Sequence, residues 1–360
     1  MYGKFKQELK NINVMVKCLN LLILHITGFI IESMNIEEKL AGATRLWQSL
    51  NLELEKRIIG QKEVVKKIVV TLLCEGHSII TGVPGLAKTR IIKTLSEILD
   101  LEFSRIQFTP DLMPSDIVGT EILDTDREGR RFFKFVKGPV FANLILADEI
   151  NRTPPKTQSA LLEAMQERKV TVQGKTYELP RPFTVIATQN PIEQEGTYPL
   201  PEAQLDRFML EIIIDYPDFE EEMRVVELTT THEEEEPRRV LRKEEIMEYQ
   251  HLVLSLPAGE HVIEYAVNIA RETRPDYSHI KVVKDYVLYG AGPRASQFLV
   301  LGAKALALLY GKPVATTKEV NEIMYDVLRH RLILNYRAEA EGIKKEDIIA
   351  KVLEYVQRKV

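Results

Sequence analysis

The chain has 360 residues, 45% hydrophobic and 28% charged. Those are values of a globular protein of two or three domains, and they exclude wholesale disorder, a fibrous chain and a multi-span membrane protein. Its 48 Lys and Arg against 53 Asp and Glu leave a formal net charge of −5, which disfavours nucleic acid as a default partner because duplex binding draws on positive charge. The only cysteines, Cys18 and Cys74, lie far apart, so no disulfide framework or cysteine zinc site is expected and a reducing compartment is the natural reading.

Residues 1–33 differ from the rest of the chain. Lys4, Lys6, Lys10 and Lys17 precede an apolar run over 18–31 that includes Asn20 and His25. The run is too short to cross ~30 Å of hydrocarbon, and no Ala-x-Ala cleavage signal follows it. It reads as an upstream extension with Met34 as the working start; a membrane anchor and a packed extra helix are the alternatives.

From 57 to 215 helical and strand-like segments alternate. Arg57–Glu75 has helical spacing, Ser78–Thr81 is a short strand, Lys88–Leu99 a helix and Leu101–Phe108 a strand. Asn143–Ala147 is a continuous apolar run, as a strand buried on both faces requires. Pro154–Arg168 is a helix with prolines suited to its first turn, and Phe183–Thr188 and Leu210–Ile214 are two further strands. Such alternation predicts an α/β core over 34–217, a parallel sheet with helices on both faces. After Pro217 helical periodicity takes over, so 218–360 is expected to be all-helical. The acidic run Glu233–Glu236, followed by Pro237, reads as a solvated linker.

The chemistry starts where the first strand ends. Gly82, Val83, Pro84, Gly85, Leu86, Ala87, Lys88 and Thr89 form a glycine-rich loop that opens a helix. Glycines let main-chain N–H groups approach phosphates, and the helix N-terminus adds a positive dipole end. Lys88 is placed to reach the β- and γ-phosphates of a nucleotide and Thr89 to ligate Mg²⁺. Ala87 stands where the general pattern has glycine.

Sixty residues after Lys88 the run Leu144–Ala147 ends in Asp148 and Glu149. Asp148 would hold Mg²⁺ and Glu149 would polarise the attacking water. The next strand ends in Gln189 and Asn190, and Asn190 is a candidate for positioning the same water. Arg207 is a candidate arginine finger for a neighbouring subunit, or else the partner of Asp206 or Glu202. Arg294, at the start of a helix after Gly292 and Pro293, is a candidate γ-phosphate sensor, or a surface arginine.

In this order the motifs resemble those of AAA+ ATPases, and among them the MoxR family. The resemblance rests on Gly82–Thr89, Ala147–Arg152, Leu161–Glu167, Ala187–Pro191, Leu200–Phe208 and Pro293–Ser296; that family also carries Ala before the Lys. It covers about residues 35–355. It implies an AAA+ core with two β-hairpin inserts and a helical lid. Lys88 and Thr89 would be Walker A, Asp148 and Glu149 Walker B, Asn190 sensor 1, Arg207 the finger and Arg294 sensor 2. Ile58, Ile59 and Gly60, with Gln61, match the segment that lies against adenine. The implied cofactors are ATP and Mg²⁺. The implied assembly is a cytoplasmic hexameric ring that remodels client proteins with a von Willebrand factor A domain partner, in metalloenzyme or cell-envelope maturation.

Two further segments have their own signals. Thr109–Val140 is too long for a plain crossover; it holds a hairpin tip near 122–129, then Phe132, Phe133 and Phe135. Val170–Leu179 alternates around Gln173-Gly174, a hairpin signature. Both are expected to be levers that touch substrate. Arg130, Arg131, Lys134 and Lys137 give the first of them local positive charge. A magnesium-chelatase-like subunit and a DNA-acting motor similar to minichromosome maintenance helicases are the alternatives to a protein remodeller.

Overall fold

The computed structural model describes residues 38–192, 196–231 and 235–359; the reading of residues 1–33 falls outside them, as does part of the acidic run. Among the described residues the chain opens with helix α1 over 38–55 and α2 (Lys62–Leu73). The second helix starts later than its periodicity suggests. Gly60 and Gln61 both take left-handed φ, +68° and 57°, which interrupts any helix through them.

Strands β1 (Ser78–Thr81), β2 (Phe103–Gln107), β5 (Leu144–Asp148), β8 (Thr184–Gln189) and β9 (Leu210–Ile213) form one sheet in the order β2-β5-β8-β1-β9. Every neighbouring pair is parallel, so all five carboxyl ends lie on one edge. Leu144, Ile145, Leu146 and Ala147 are at most 1% exposed, which is why β5 reads as an unbroken apolar run rather than an alternating one. The leucine and isoleucine side chains among them, fully buried, each contribute about 1.5–3 kcal/mol. Helices α3 (Lys88–Ile98) and α5 (Pro155–Glu167) belong to the layers on either face, and separate apolar clusters fill the two sides.

Two hairpins leave this core. The first pairs β3 (Gly119–Thr125) with β4 (Arg131–Lys137) after a short helix α4 (Pro114–Val118). Its turn lies at 126–130, closed by Gly129 N–H to Asp126 O at 3.0 Å, so Ile122–Thr125 belong to the strand and not to the tip. The second pairs β6 (Lys169–Val172) with β7 (Lys175–Glu178). Gln173 and Gly174 turn it with φ of 48° and 81°, the doubly positive geometry that matches strand twist. The hairpins lean on each other: Phe135 stacks on Tyr177 with centroids 4.1 Å apart, and Lys175 pairs with Glu121 at 3.1 Å.

After a short α6 (Glu202–Leu205) and β9 come α7 (Phe219–Thr231), α8 (Lys243–Ser255), α9 (Glu260–Glu272), α10 (Lys281–Tyr286), α11 (Pro293–Leu309), α12 (Thr317–Leu328), α13 (Tyr336–Ala340) and α14 (Lys345–Lys359). The expectation of an all-helical region needs one correction. A two-stranded antiparallel pair, β10 (Val287–Tyr289) with β11 (Ile333–Leu334), joins the ends of α10 and the Arg329–Arg331 turn. Strands of two or three residues are too short to leave a period-two signature.

Candidate active site

The loop from Gly82 to Ala87 leaves the carboxyl end of β1 and enters α3 at Lys88. Ala87 caps that helix in the left-handed region at φ 53°, a conformation costing an alanine about 1 kcal/mol. Gly85 needs its glycine for the same reason: φ is +88° and a Cβ would meet nothing within 4 Å. Gly82 needs its glycine for space, since a Cβ would come within 2.5 Å of the Ile214 carbonyl oxygen. The loop therefore presses onto the end of β9, and the first amides of α3 have no intrahelical acceptors. Lys88 Nζ donates to the Gly82 carbonyl. Burial lowers the Lys88 pKa, and the negative charges of Asp148 and Glu149 oppose that shift.

The acids sit at the neighbouring strand end. Asp148 Oδ1 accepts from Thr188 Oγ1 at 2.6 Å, and Asp148 Oδ2 accepts from Arg105 at 2.6 and 3.1 Å. The same Thr188 hydroxyl accepts the Glu149 main-chain N–H at 2.9 Å, so one side chain on β8 sets both acids. Glu149, at φ 56°, turns its carboxylate to Gln107 Nε2 at 3.1 Å and Arg152 Nη1 at 2.8 Å. Asn190 Oδ1 accepts from Ile192 N–H at 3.1 Å. A cleft of 430 Å³ is lined by Pro84, Gly85, Leu86, Ala87, Lys88, Thr89, Asp148, Glu149 and Asn190 together with Arg105 and Thr188.

The donor set of this cleft fits a nucleotide triphosphate with its divalent cation. It holds one ammonium, a helix N-terminus free to bind an anion, a hydroxyl at Thr89 and a carboxylate at Asp148, the hard-oxygen ligands that Mg²⁺ selects. The Arg105 guanidinium on Asp148 supplies positive charge where such a cation would.

Other expected residues stand outside that cleft. Ile58 is buried, Gln61 Nε2 donates to Asp215 O at 3.0 Å, and a Cβ on Gly60 would strike the Glu221 carboxylate at 2.7 Å. Ile58, Ile59, Gly60 and Gln61 therefore lie beside the exit from β9, whose Ile214 touches Gly82, on the flank of the loop.

Arg207 and Arg294 lie at the other end of the sheet. Ser78 is in register with Leu210, and Met209 N–H donates to His77 O at 2.6 Å, so residues 206–209 precede the amino end of β1 whereas the phosphate loop follows its carboxyl end. Arg207 donates to Leu162 O on α5 at 3.2 Å. Asp206 is not its partner: Arg294 holds Asp206 Oδ2 at 2.9 Å and Arg331 holds Oδ1 at 2.8 Å.

Arg331 escaped sequence reasoning altogether. Its side chain is 2% exposed and donates to the carbonyls of Asp206 at 3.0 Å, Phe208 at 2.6 Å and Met209 at 3.2 Å. Burial pulls its pKa down to about 10, opposed by Asp206. His330 Nε2 lies 3.0 Å from Phe208 O, and Arg329 donates to Glu211 O at 2.7 Å. Three consecutive side chains thus tie the C-terminal region to the 206–211 segment. Arg105, Gln107 and Thr188 were missed as well. The one signal for the first two is that they alternate along an edge strand whose intervening residue, Ile106, is buried.

Comparison with known proteins adds a family to this geometry. Residues 77–210 match the family of ATPases associated with various cellular activities, and residues 280–352 match the AAA lid domain. The chain is 43% identical to Chaperone MoxR1 of Mycobacterium tuberculosis over 89% of its length and 84% of that protein. It is 40% identical to the uncharacterized protein YeaC of Bacillus subtilis, over 83% of this chain and 91% of the relative. A crystal structure from Cytophaga hutchinsonii, provisionally named an ATPase, superposes with a TM-score of 0.84 at 42% identity, over 90% of this chain and 98% of that one.

Proposed function

Since the chain belongs to the MoxR family of AAA+ ATPases, we propose that it hydrolyses ATP with Mg²⁺ and uses the cycle to remodel client proteins, as a cytoplasmic hexameric ring. The observation that carries this is the single cleft in which Lys88 and Thr89 face Asp148 and Glu149. Lys88 and the α3 amides bind the phosphates. Thr89 and Asp148 would hold Mg²⁺, which neutralises phosphate charge during transfer. Glu149 orients and deprotonates the attacking water, and Asn190 fixes its line of approach. Before that, Glu149 must leave Gln107 and Arg152, so its present pairing is a resting arrangement.

Arg207 and Arg294 serve a different cleft. Both stand at the end of the sheet remote from their own phosphate loop, Arg294 paired with Asp206 and Arg207 next to it in sequence, so we assign both to the nucleotide of a neighbouring copy. Arg294 is thereby moved from a sensor of its own γ-phosphate to a group given in trans. Among the described residues no helix is long and apolar enough to cross a membrane.

The hairpins favour protein over nucleic acid as client. Arg130 pairs with Asp126 and Glu128, and Lys134 with Asp124, which offsets much of the positive charge read from the sequence. Leu123 and Phe133, paired across the strands below the turn, are 54% and 66% exposed, an apolar patch suited to unfolded or partly folded chains. A von Willebrand factor A domain protein is the partner we expect. Glu149→Gln, held in ATP, should retain nucleotide and client together; recovery of nuclease-sensitive DNA in place of protein would favour the helicase-like reading.

A further inference from the structure

Helix α7 has 13 residues and not one described side chain that is buried. A helix of that length is marginal in water unless tertiary packing holds it. Its more covered positions, Glu221, Val225 and Leu228, face the protein; the opposite face carries Phe219, Met223 and Val226, which are 78%, 59% and 55% exposed. This apolar ridge is flanked by Glu220 and Glu222, which form no ion pair among the described residues.

A matching groove lies between α9 and α11. It has a volume of 630 Å³ and is lined by Ile263, Val267, Pro293 and Val300, with Arg271 and Arg274 at one end. Those arginines have no carboxylate partner among the described residues; Arg271 rests on the Tyr277 ring, 5.2 Å from its centroid, and Arg274 donates to Ala291 O. The lengths agree. Seven residues separate Phe219 from Val226, and seven separate Pro293 from Val300, about 10 Å in each case at 1.5 Å per residue.

We propose that α7 of one copy seats its ridge in the α9–α11 groove of the next. The proposal rests on the reading that Arg207 and Arg294 serve a neighbouring nucleotide. Position supports it. Helix α7 begins a few residues after Ile214, which touches Gly82 of the phosphate loop, and its Glu221 lies against Gly60, whereas the groove begins at Pro293, the residue before Arg294. A head-to-tail contact that brings Arg294 to a neighbour's cleft brings the groove to that neighbour's α7. The acid-flanked ridge meets a groove ended by arginines, and such heterologous contacts close into rings.

The test is a crosslink read against assembly. Met223→Cys and Val267→Cys are placed in the full chain, singly and together, and treated with a short bis-maleimide in ATP and Mg²⁺. The double variant should give a ladder of linked chains, and each single variant only the background of the native cysteines. Met223→Asp and Arg271→Glu, both exposed, should each raise the concentration at half-assembly about tenfold by mass photometry, the scale of one buried apolar side chain or charge contact, with monomer melting unchanged. Unaltered assembly with no ladder would overturn the docking while leaving the trans arginines standing. A wild-type chain that stays monomeric in ATP and Mg²⁺ would overturn both. If the thiol of the single Val267→Cys variant is shielded from maleimide in the monomer, a segment of the same chain fills the groove and the proposal is overturned.

Discussion

The two ends of the central sheet are built in opposite ways. At the carboxyl end the functional groups are partly exposed and pair with one another: Lys88 with a loop carbonyl, Asp148 with Arg105, Glu149 with Gln107 and Arg152. Each of those pairings can be exchanged for a ligand. At the amino end Arg331 is buried and spends its donors on the Asp206 carboxylate and the main-chain carbonyls of 206–209, and those ties are not open to exchange with a ligand, unlike the partly exposed Arg207 and Arg294. The first end is made to bind and release. The second is made to hold Arg207 and Arg294 at fixed places relative to the fold. On the proposed assignment of Arg207 and Arg294, a site divided in this way needs two copies to be complete.

Several substitutions sharpen this contrast. The largest effect is expected of Arg207→Ala, a loss of ATP turnover of about 10³–10⁵-fold with nucleotide binding retained, since a finger acts on the transition state. Steady-state turnover beside fluorescent-nucleotide binding measures both. Glu149→Gln should cost about 10²–10⁴-fold in turnover, the range of a positioned general base, again with binding intact. Arg331→Met should act on stability instead, by about 3 kcal/mol or more, because Asp206 and several carbonyls lose a buried partner; denaturant unfolding reads it. If Arg331→Met left stability untouched, the fixed character of the amino end would be wrong.

A pH effect comes from the same end. His77 is buried, and desolvation pulls its pKa down to about 4; its neutral ring accepts Val185 N–H and faces Met165 O. The unfolded chain takes up this proton below its ordinary value of 6.5, the folded chain only near 4. Stability is therefore full above 6.5 and falls by up to about 3 kcal/mol as pH drops through that window. Buried His330 is shifted the same way, chiefly by desolvation. Melting curves at pH 7.5 and 5 should separate clearly, and His77→Gln should narrow the gap. The smallest effect is expected of Gln107→Leu: releasing one hydrogen bond of ~1 kcal/mol from Glu149 should raise basal turnover about fivefold.

The same contrast explains what could be read beforehand. The carboxyl end is local in sequence: a strand, a glycine loop and Lys88-Thr89 are contiguous, and Asp148 and Glu149 end an apolar run. The Gln173-Gly174 turn was legible because two left-handed residues in a row leave few sequence choices. The amino end is not local. Arg331 meets Asp206 across 125 positions, and nothing in Arg329-His330-Arg331 distinguishes three buried ties from a basic surface turn. Arg294 had a motif to name it, yet its place beside Asp206 is set by how the helical region packs on β9, which no spacing encodes. Helix α7 reads as an ordinary amphipathic helix, and only its lack of buried side chains in the fold marks its outer face.

The division of the site between copies is tested most directly by mixing two inactive proteins. Lys88→Ala should lose its own nucleotide but keep Arg207 and Arg294; Arg207→Ala keeps its cleft but has no finger to give. Each alone should turn over almost no ATP, and the mixture should recover clear activity as subunits exchange, because intact clefts then meet intact arginines. A mixture no more active than the sum of its parts would mean that Arg207 does not act between copies.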